Sequence, residues 1–481
     1  MSLPPGPRAP APIQTAQFML RPRESLIRWK RRYGDVFTVS YLMFGRGVYV
    51  ADPVAIRELF TGDQSDLLAG DANSFMEPIL GKHSVLVLDG PEHIRQRRLL
   101  LPPFQGSRVA SFRSVVREVA EREVDRWQPG AELVLRDRMR ALTFEVICRA
   151  VFGVTEPARV ERLRKAFAEL LDSSSLLLLI PALRTNLRRW SPGGRFARRV
   201  RAADQLLYEE IARRRAEPDL DERGDVLSLL MRARDEDGRP MMDAELRDEL
   251  ITMLGAGHET TATALAFAFD LLLRHPAELA RLRDSIAAGE DDYLEAVMHE
   301  TLRVRPVIDA AERTLTRPRV IGGYELPPGV KVYPAILLVQ RRADLYPQPG
   351  AFRPARFLES DVESYAWLPF GGGIRRCIGA ALAQAEMVEA LRVIVPRVEL
   401  QPVRPEADPV VLRGVTLAPK HGVRVRVVSK KRIEPREQQL DDARGRTPDE
   451  LAANGVGRGL EGDALADQPA HLVPGDQVGH G

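Results

Sequence analysis

The most distinctive stretch of this 481-residue chain is Phe370-Gly371-Gly372-Gly373-Ile374-Arg375-Arg376-Cys377-Ile378-Gly379. Its glycines allow the backbone to turn tightly and to approach a flat ligand closely. One thiol, that of Cys377, is presented just before a helix that we predict from about residue 379 to residue 393. Because a helix N-terminus lowers the pKa of a nearby thiol and favours the thiolate, the loop predicts a cysteine that binds a metal.

Two other interpretations of this loop stay open on the residues alone. A lone cysteine beside a glycine-rich turn is also typical of a buried structural thiol. A phosphate-binding loop is a third interpretation, although no Gly-Lys-Ser/Thr follows the glycines. The rest of the sequence has to discriminate between the three.

The composition excludes several classes of protein. Hydrophobic residues make up 44% and charged residues 28% of the chain, which is the balance of a globular protein with a large core. The 70 lysines and arginines nearly cancel the 67 acidic residues, so the charge does not indicate nucleic-acid binding. The two cysteines, Cys148 and Cys377, form no Cys-x-x-Cys pair, which argues against disulfide scaffolds and zinc knuckles and favours a reducing compartment.

Neither a membrane span nor an export signal is predicted. The longest apolar run, residues 176–180 extended by 181–183, is far shorter than the ~20 residues that a bilayer requires. The first seven residues have neither the positive nor the apolar region of a signal peptide. We therefore expect a cytoplasmic protein without a membrane span.

Local patterns predict a mainly α chain with small β-sheets, an α+β fold class. The Pro-rich residues 1–17 predict an extended, non-helical lead-in on the surface. Strands are predicted at Val36–Tyr41 and 48–50, and a turn-rich hairpin at 322–329. Amphipathic spacing predicts helices at about 24–33, 92–100, 112–127, 139–152, 158–171, 194–215, 277–287 and 291–303. A polar tail with few aromatic residues, 429–481, is predicted to be disordered.

A long helix is predicted at Asp243–Arg274, with Asp243 as its candidate N-cap. From residue 250 to residue 273 it is apolar on nearly every face, which is typical of a helix buried in a large core. A polar group buried in such a helix costs free energy unless it is hydrogen-bonded, so its presence indicates a structural or functional role. A hydroxyl beside a carboxylate, as at Glu259 and Thr260, can hold a water and relay protons. A helix bend at Gly257 and Thr260 without a catalytic part is the alternative.

Taken together, these features resemble the cytochrome P-450 superfamily over roughly residues 4 to 428. The loop matches the family's haem-binding signature at Phe370, Gly373, Arg375, Cys377 and Gly379. The resemblance implies that Cys377 is the axial thiolate ligand of haem b, an arrangement that favours cleavage of the O–O bond. It also implies that Arg375 binds a haem propionate.

Two further motifs occur in the order expected for the family. Glu300-Thr301-Leu302-Arg303 places a carboxylate and a guanidinium one turn apart, which alone is usually just a solvated helix face. Phe352-Arg353-Pro354-Ala355-Arg356-Phe357 follows, and its second arginine joins that pair in the family. The resemblance implies a buried network of Glu300, Arg303 and Arg356 behind the haem. Ala355 stands where many relatives carry a glutamate, which leaves Arg356 in place.

The resemblance also assigns the residues that deliver protons to dioxygen. The segment Ala256-Gly257-His258-Glu259-Thr260-Thr261 looks like the family's oxygen-activation segment, so Glu259 and Thr260 would be catalytic and deliver protons. We expect its histidine, His258, to pack outward and not to bind a ligand.

Three further basic residues, besides Arg375, are expected at the haem propionates. His93 and Arg97 are spaced i, i+4 on one helix face, which in isolation predicts a surface basic stripe. Given the resemblance, both would reach the propionates, as Arg313 would from a later strand.

The fold implied by the resemblance is one haem domain, residues 18–428, with haem between the central helix and the helix after Cys377. The expected reaction inserts one oxygen atom from O2 into a lipophilic small molecule, by hydroxylation or epoxidation of a fatty acid, terpenoid or steroid. Electrons would come from NAD(P)H through a separate ferredoxin and ferredoxin reductase, docked on a basic face near Arg375 and Arg376. An apolar substrate pocket is expected to be lined by Phe75, Met76, Ile79, Leu254, Ala256, Val307 and Ile308.

Two other functions stay open at this point. A haem-thiolate peroxygenase, isomerase or dehydratase would need no reductase, but Glu259 and Thr260 argue against it, because those chemistries need no proton relay to dioxygen. A haem-dependent sensor or ligand-binding protein would bind haem and lipophiles without forming a product coupled to NAD(P)H oxidation.

Overall fold

The structure is a computed structural model that describes residues 3–179, 191–360, 363 and 365–431. Its helices are α1 (Ala11–Leu20), α2 (Pro22–Tyr33), α3 (Pro53–Thr61), α4 (Ala69–Asn73), α5 (Glu77–Leu80), α6 (Gly90–Leu100), α7 (Ser107–Asp125), α8 (Leu135–Phe152), α9 (Pro157–Leu179), α10 (Pro192–Ala216), α11 (Val226–Arg232), α12 (Asp243–Arg274), α13 (Pro276–Ala288), α14 (Asp292–Val304), α15 (Ile336–Val339), α16 (Arg356–Glu359) and α17 (Ala380–Arg397). Its strands are β1 (Val36–Tyr41), β2 (Gly45–Val50), β3 (Leu67–Leu68), β4 (Glu132–Val134), β5 (Arg313–Leu315), β6 (Arg319–Ile321), β7 (Tyr324–Leu326), β8 (Lys331–Pro334), β9 (Val398–Pro402), β10 (Val410–Arg413), β11 (Thr416–Pro419) and β12 (Arg424–Lys430).

The largest sheet has the strand order β1-β2-β8-β5-β3. Strand β2 pairs antiparallel with β1 and parallel with β8, so that Val48 lies beside Val332 and Tyr49 beside Tyr333. Because successive side chains alternate between the two faces of a strand, the valines pack against α3, and the tyrosines pack against α1, α2 and α12. The sheet therefore holds α3 in a fixed position, which matters for the cysteine loop described below.

The helical part of the molecule is built around α12. Its second half packs with α7, α8, α14 and α17 into one apolar cluster, and its first half belongs to a second cluster with α8, α10 and α11. The predicted central helix is thus confirmed, with the bounds expected from the sequence. Its N-cap is Met242, however, and the Glu245 carboxylate accepts a hydrogen bond from the Met242 N–H at 2.7 Å. None of the described helices is both long and apolar enough to cross a membrane.

The other predicted helices are all present, most of them longer by a few residues, and the predicted strand at 36–41 is confirmed as β1. The predicted hairpin turns at Gly322 and Gly323, which have φ of +54° and +84°. Such values suit glycine and the tight turns that join antiparallel strands. The three residues that follow form strand β7 and not part of the turn.

The N-terminal prediction was wrong. Residues 11–17 do not continue an extended lead-in but belong to α1, whose Pro10 and Pro12 lie at the start of the helix, where a missing N–H costs nothing. Packing explains the helix, because Phe18 is buried against the sheet and the Gln14 carboxamide donates to the Ala9 carbonyl at 2.6 Å. At the other end, β12 reaches Lys430, two residues past the predicted domain limit, and the predicted disordered tail lies outside the described residues from 432 onward.

Candidate functional site

The cysteine loop is held against α3 by close backbone packing. Gly373 has φ of +62°, and a Cβ atom there would lie 1.9 Å from the carbonyl oxygen of Phe60 at the end of α3. Only glycine fits this position, because both the backbone conformation and the contact exclude a side chain. The Cys377 N–H donates to the Phe370 carbonyl at 2.9 Å, which closes the loop just before α17.

The Cys377 side chain is exposed, whereas Cys148 is fully buried in an apolar cluster. Desolvation by the surrounding protein raises the pKa of the Cys377 thiol, while the Gly379 N–H and the guanidinium groups of Arg97 and Arg376 favour the thiolate. Burial raises the pKa of Cys148 much further, and no cation offsets it among its described neighbours. Of the two cysteines, Cys377 is the one with access to a ligand.

Four basic side chains converge next to the cysteine loop, to which Arg375 belongs. His93 on α6 is 3% exposed, and its pKa falls to about 3 because it is buried and surrounded by Arg375, Arg97 and Arg313. Burial and mutual repulsion likewise lower the pKa of Arg313 and of Arg375 to about 10 each. The structure thus brings together the four residues that the sequence assigns to the propionates.

This basic cluster has too few anions of its own. The cluster contains the carboxylate of Asp89, which accepts a hydrogen bond from Arg375 Nη2 at 2.6 Å. Arg97 Nη2 donates to the Arg376 carbonyl at 2.7 Å. The buried Nε of Arg313 has no hydrogen-bond partner among the described residues. A buried, unsatisfied donor in a cluster of cations is the environment that an anionic ligand stabilises. The two propionates of haem fit this requirement.

Asp89 is a residue that the sequence interpretation missed. Besides Arg375, its carboxylate accepts the backbone N–H groups of residues 69, 70 and 71 at 3.0, 2.8 and 2.7 Å. It therefore connects the cysteine loop to the segment around α4. No local pattern reveals this, because an aspartate before a glycine and a proline is equally typical of an ordinary turn.

The structure does not bring the side chains of Glu259 and Thr260 together. The Glu259 carboxylate is paired with Arg136, and with Arg140 Nε at 2.8 Å, both on α8. The Thr260 hydroxyl donates to the Ala256 carbonyl at 2.6 Å on a face of α12 where Ala256 is exposed. Thr260 is thus available to a ligand on that open face, whereas Glu259 is engaged by the neighbouring helix.

His258 does not pack outward as expected. It is 4% exposed, its ring lies edge-on to Phe144 of α8 at 5.3 Å, and its backbone carbonyl accepts the Thr143 hydroxyl at 2.9 Å. Burial lowers the pKa of its imidazole. The side chain is a packing element between α12 and α8, because that face of the helix is the one covered by α8.

The predicted ion network forms as expected. Arg303, which is fully buried, donates from Nε and Nη2 to the two Glu300 oxygens at 2.6 and 2.8 Å. Arg356 Nε and the Arg353 N–H reach the same carboxylate at 3.1 and 2.8 Å. The remaining Arg303 donors bind the carbonyls of residues 340, 349 and 351. The network therefore pins the long segment before the cysteine loop onto α14.

The predicted pocket residues divide into two groups. Phe75, Met76, Ala256 and Ile308 are exposed or half-buried, and Phe75 contacts Phe44 edge-on at 5.3 Å. The other three, Ile79, Leu254 and Val307, are buried at 4%, 0% and 8% exposure. Leu254 in particular packs inside an apolar cluster. It therefore lines no open space, because its face of α12 is turned away from that of Ala256.

Glu386 on α17 is a second residue that sequence interpretation missed. It is 3% exposed and accepts a hydrogen bond from the Thr261 hydroxyl of α12. Burial raises its pKa to about 8, which the bond from Thr261 only partly offsets. A glutamate on a buried, mostly apolar helix was the available signal, since a buried polar group requires a partner.

Glu386 predicts a specific dependence of stability on pH. Its pKa is about 8 in the folded chain against 4.5 ordinarily, so the folded state binds the additional proton between these values. The contribution of Glu386 to the free energy of unfolding therefore falls as the pH rises through this interval and is level above it. We expect Glu386→Gln, which does not ionise, to lose less stability than wild type between these pH values in denaturant titrations. The exposed Glu290→Gln is the control, and parallel curves for both variants would contradict the prediction.

Comparison with known proteins gives consistent matches over nearly the whole chain. The family model for cytochrome P450 matches residues 4–424. Cytochrome P450 135B1 of Mycobacterium tuberculosis is 43% identical over 92% of this chain and 95% of that protein, and cytochrome P450 135A1 is 38% identical over 90% and 96%. Among solved structures, retinoic acid-bound cyanobacterial CYP120A1 has a TM-score of 0.77 at 24% identity, covering 89% of this chain and 99% of that one. The haem domain of cytochrome P450DA has a TM-score of 0.78 at 24% identity and covers 89% and 98%.

Proposed function

Because this chain belongs to the cytochrome P450 family, and is thereby a haem-thiolate monooxygenase, we propose that Cys377 is its iron ligand and that it oxidises a lipophilic small molecule. The observation that carries the assignment is the exposed Cys377 thiol in a loop that contributes Arg375 to the basic cluster of His93, Arg97, Arg313 and Arg375. A flat, dianionic group with a metal at its centre matches both the thiol and the basic cluster.

Each residue of the site has a proposed part. When bound, haem supplies the activation of dioxygen by two electrons and two protons. His93, Arg97, Arg313 and Arg375 bind the propionates, and Asp89 keeps Arg375 in place. The hydrogen bond to the Phe370 carbonyl and the packing of Gly373 fix the loop, and the Gly379 N–H lies at the sulfur.

Thr260 is proposed to order the water that delivers a proton on the open face of α12. Its hydroxyl already donates to a carbonyl, so its oxygen is free to accept a hydrogen bond from water or ligand. Glu259 is proposed to pass a proton to this water. It does so either while paired with Arg136 and Arg140 or after its carboxylate has left that ion pair. Proton delivery through both residues is therefore sequential and not a direct side-chain contact.

We expect Thr260→Ala to uncouple electron use from product formation. Loss of the hydroxyl removes the group that orders the proton donor, and positioned proton transfer typically contributes 10²- to 10⁴-fold to rates. Because water takes over part of this role, we expect the product formed per NAD(P)H oxidised to fall by about tenfold. Thr263→Ala is the matched control, since Thr263 is fully buried one turn further along α12. Equal coupling in both variants would refute the role of Thr260.

The substrate class and electron donor are proposed at the level that the side chains support. Apolar Phe75, Met76 and Ile308 beside Ala256 favour a lipophile, with fatty acids, terpenoids and steroids as the compounds to be screened. A separate ferredoxin and its NAD(P)H-dependent reductase are the proposed donors. Of the two arginines expected on their docking face, only Arg376 is exposed. The Arg375 side chain is turned inward onto Asp89.

The experiment that tests the function uses the purified holoprotein with a surrogate ferredoxin, reductase and NAD(P)H under isotopically labelled dioxygen. Lipophiles that shift the visible spectrum are assayed, and we expect one labelled oxygen atom in the product. Product that forms with hydrogen peroxide, and does not form with any reductase system and NAD(P)H, would identify a peroxygenase. Binding of lipophiles without any product in either system would identify a sensor or binding protein.

A further inference from the structure

Two arginines outside the proposed haem site are buried without a close carboxylate. Arg305 directly follows α14 and is 8% exposed, and its ion-pair contact joins Nη2 to Asp270 Oδ2 at 4.0 Å. Arg341 follows α15 and has no ion pair within the described part of the chain, while its Nη2 donates to the Val304 carbonyl at 2.7 Å. Because Val304 immediately precedes Arg305, the two arginines are neighbours in the fold.

Both side chains keep buried donors that bind nothing. The Nε atoms of Arg305 and Arg341 are buried and have no hydrogen-bond partner among the described residues. A buried cation is stable when an anion pairs with it and its donors are satisfied. The buried Arg303 follows this rule, since it donates to both oxygens of Glu300. Arg305 and Arg341 do not, and each such exception requires an explanation.

A third arginine adds positive charge at the same place. Burial and repulsion from Arg23 lower the pKa of Arg341 to about 9, and the same two causes lower the pKa of Arg305. Arg23 lies in the first turn of α2, which carries the partial positive charge of a helix N-terminus. It forms no ion pair with any residue that the structure describes. We call Arg23, Arg305 and Arg341 the arginine cluster.

Two carboxylates act on the arginine cluster, and neither neutralises it. Asp270 is bound by Arg274 Nε at 2.9 Å, which is much closer than its contact with Arg305. Glu24 is exposed and forms no hydrogen bond with the cluster within the described residues. Three cations therefore face one shared and one solvent-exposed carboxylate.

We propose that the arginine cluster binds inorganic phosphate where α2 meets α12 and the end of α14. Guanidinium groups are planar forks of N–H donors that match the oxygens of a phosphate. A doubly charged oxyanion supplies both the missing charge and acceptors for the two buried Nε atoms. Those atoms require an acceptor small enough to reach them, which favours inorganic phosphate over an ester with a bulky organic group.

Phosphate at this position would connect separate parts of the fold. Arg23 belongs to α2, whereas Arg341 adjoins Gln340, whose carbonyl accepts a hydrogen bond from Arg303 of the buried ion network. Because a ligand that binds only the folded state stabilises it, phosphate should raise the free energy of unfolding. None of these residues is assigned to haem or substrate, so the site does not depend on the proposed function.

The test titrates the purified holoprotein with sodium phosphate at fixed pH, with sodium chloride adjusted to hold the ionic strength constant. Calorimetric titration measures binding, and urea denaturation measures stabilisation. We expect saturable binding of one phosphate per chain and a rise in the denaturation midpoint that chloride alone does not produce. Constant ionic strength matters, because screening by salt also changes the repulsion within the cluster.

Arg305→Gln and Arg341→Gln should each weaken phosphate binding about tenfold, because each removes a charge-assisted hydrogen bond. Arg23→Gln should weaken it severalfold, and it serves as the test if the two buried variants fail to fold, since Arg23 has no hydrogen bond to lose among the described residues. The matched control is Arg28→Gln, an exposed position on the same helix, which should bind like wild type.

Asp270→Asn should have the opposite effect and strengthen binding severalfold, because it removes the carboxylate that competes with phosphate for Arg305. Circular dichroism and haem content establish that each variant is folded. Absence of saturable binding to wild type, or equal binding by wild type and Arg23→Gln, would overturn the proposal. Equal stabilisation by chloride and phosphate would also overturn it, since screening would then explain the effect.

Discussion

Cys377→Ser removes the strongly red-shifted Soret band that we expect from wild type after reduction with dithionite and exposure to carbon monoxide. The band requires a thiolate on the iron, and an alcohol at this position neither ionises near neutral pH nor donates electron density as sulfur does. Because Cys377 is the exposed cysteine and its loop is closed onto Phe370 and Phe60, no other thiol of the described residues can replace it. We also expect product formation driven by NAD(P)H to fall to background.

The control for this experiment is Cys148→Ala. Cys148 is fully buried in an apolar cluster, so alanine there costs packing but leaves the iron ligand unchanged. The variant should keep the red-shifted band even if it is less stable. A band that persists in Cys377→Ser, or that disappears in Cys148→Ala with haem still bound, would show that the ligand is assigned wrongly.

Glu300→Gln should destabilise the protein strongly although it lies outside the expected ligand sites. Its carboxylate binds the fully buried Arg303 and also Arg356, so the amide leaves two buried guanidinium groups without their anion. Removal of one partner of a buried ion pair typically costs about 3–5 kcal/mol. We expect a loss of this order in the free energy of unfolding, together with poor retention of haem.

The matched control is Glu161→Gln, which removes the carboxylate of a pair with the same i, i+3 spacing. Glu161 and Arg164 are 59% and 47% exposed, and exposed pairs contribute little. Denaturant titration of both variants with the haem spectrum as a second signal measures the difference. A midpoint for Glu300→Gln equal to that of Glu161→Gln would mean that the network is not needed for folding.

The parts of the site that were predictable are those encoded by short motifs. The glycines and Cys377 lie within ten residues of one another, and Glu300 and Arg303 lie one turn apart, so local spacing determines their geometry. The pairing of Glu259 with Arg136 joins residues 123 positions apart, which no local pattern indicates. The orientation of Leu254 was equally hidden, because a helix that is apolar on nearly every face does not show which side meets an open space.

Helix α1 shows a different limit. Proline-rich sequence usually indicates extended chain, and the apolar outer face of this helix lacks the amphipathic period by which helices are recognised. Tertiary contacts stabilise it instead, since the Gln14 carboxamide oxygen accepts the Ser40 N–H of β1 at 2.9 Å and Phe18 is buried in an apolar cluster.

Asp89 connects two separate segments of the proposed active site. One of its oxygens accepts two backbone N–H groups from the start of α4, and the same oxygen receives Arg375 of the cysteine loop. The segment that begins at α4 continues into Phe75, one of the residues proposed for the substrate pocket. A single carboxylate therefore connects the chain that leads into Phe75 with the loop that carries Cys377.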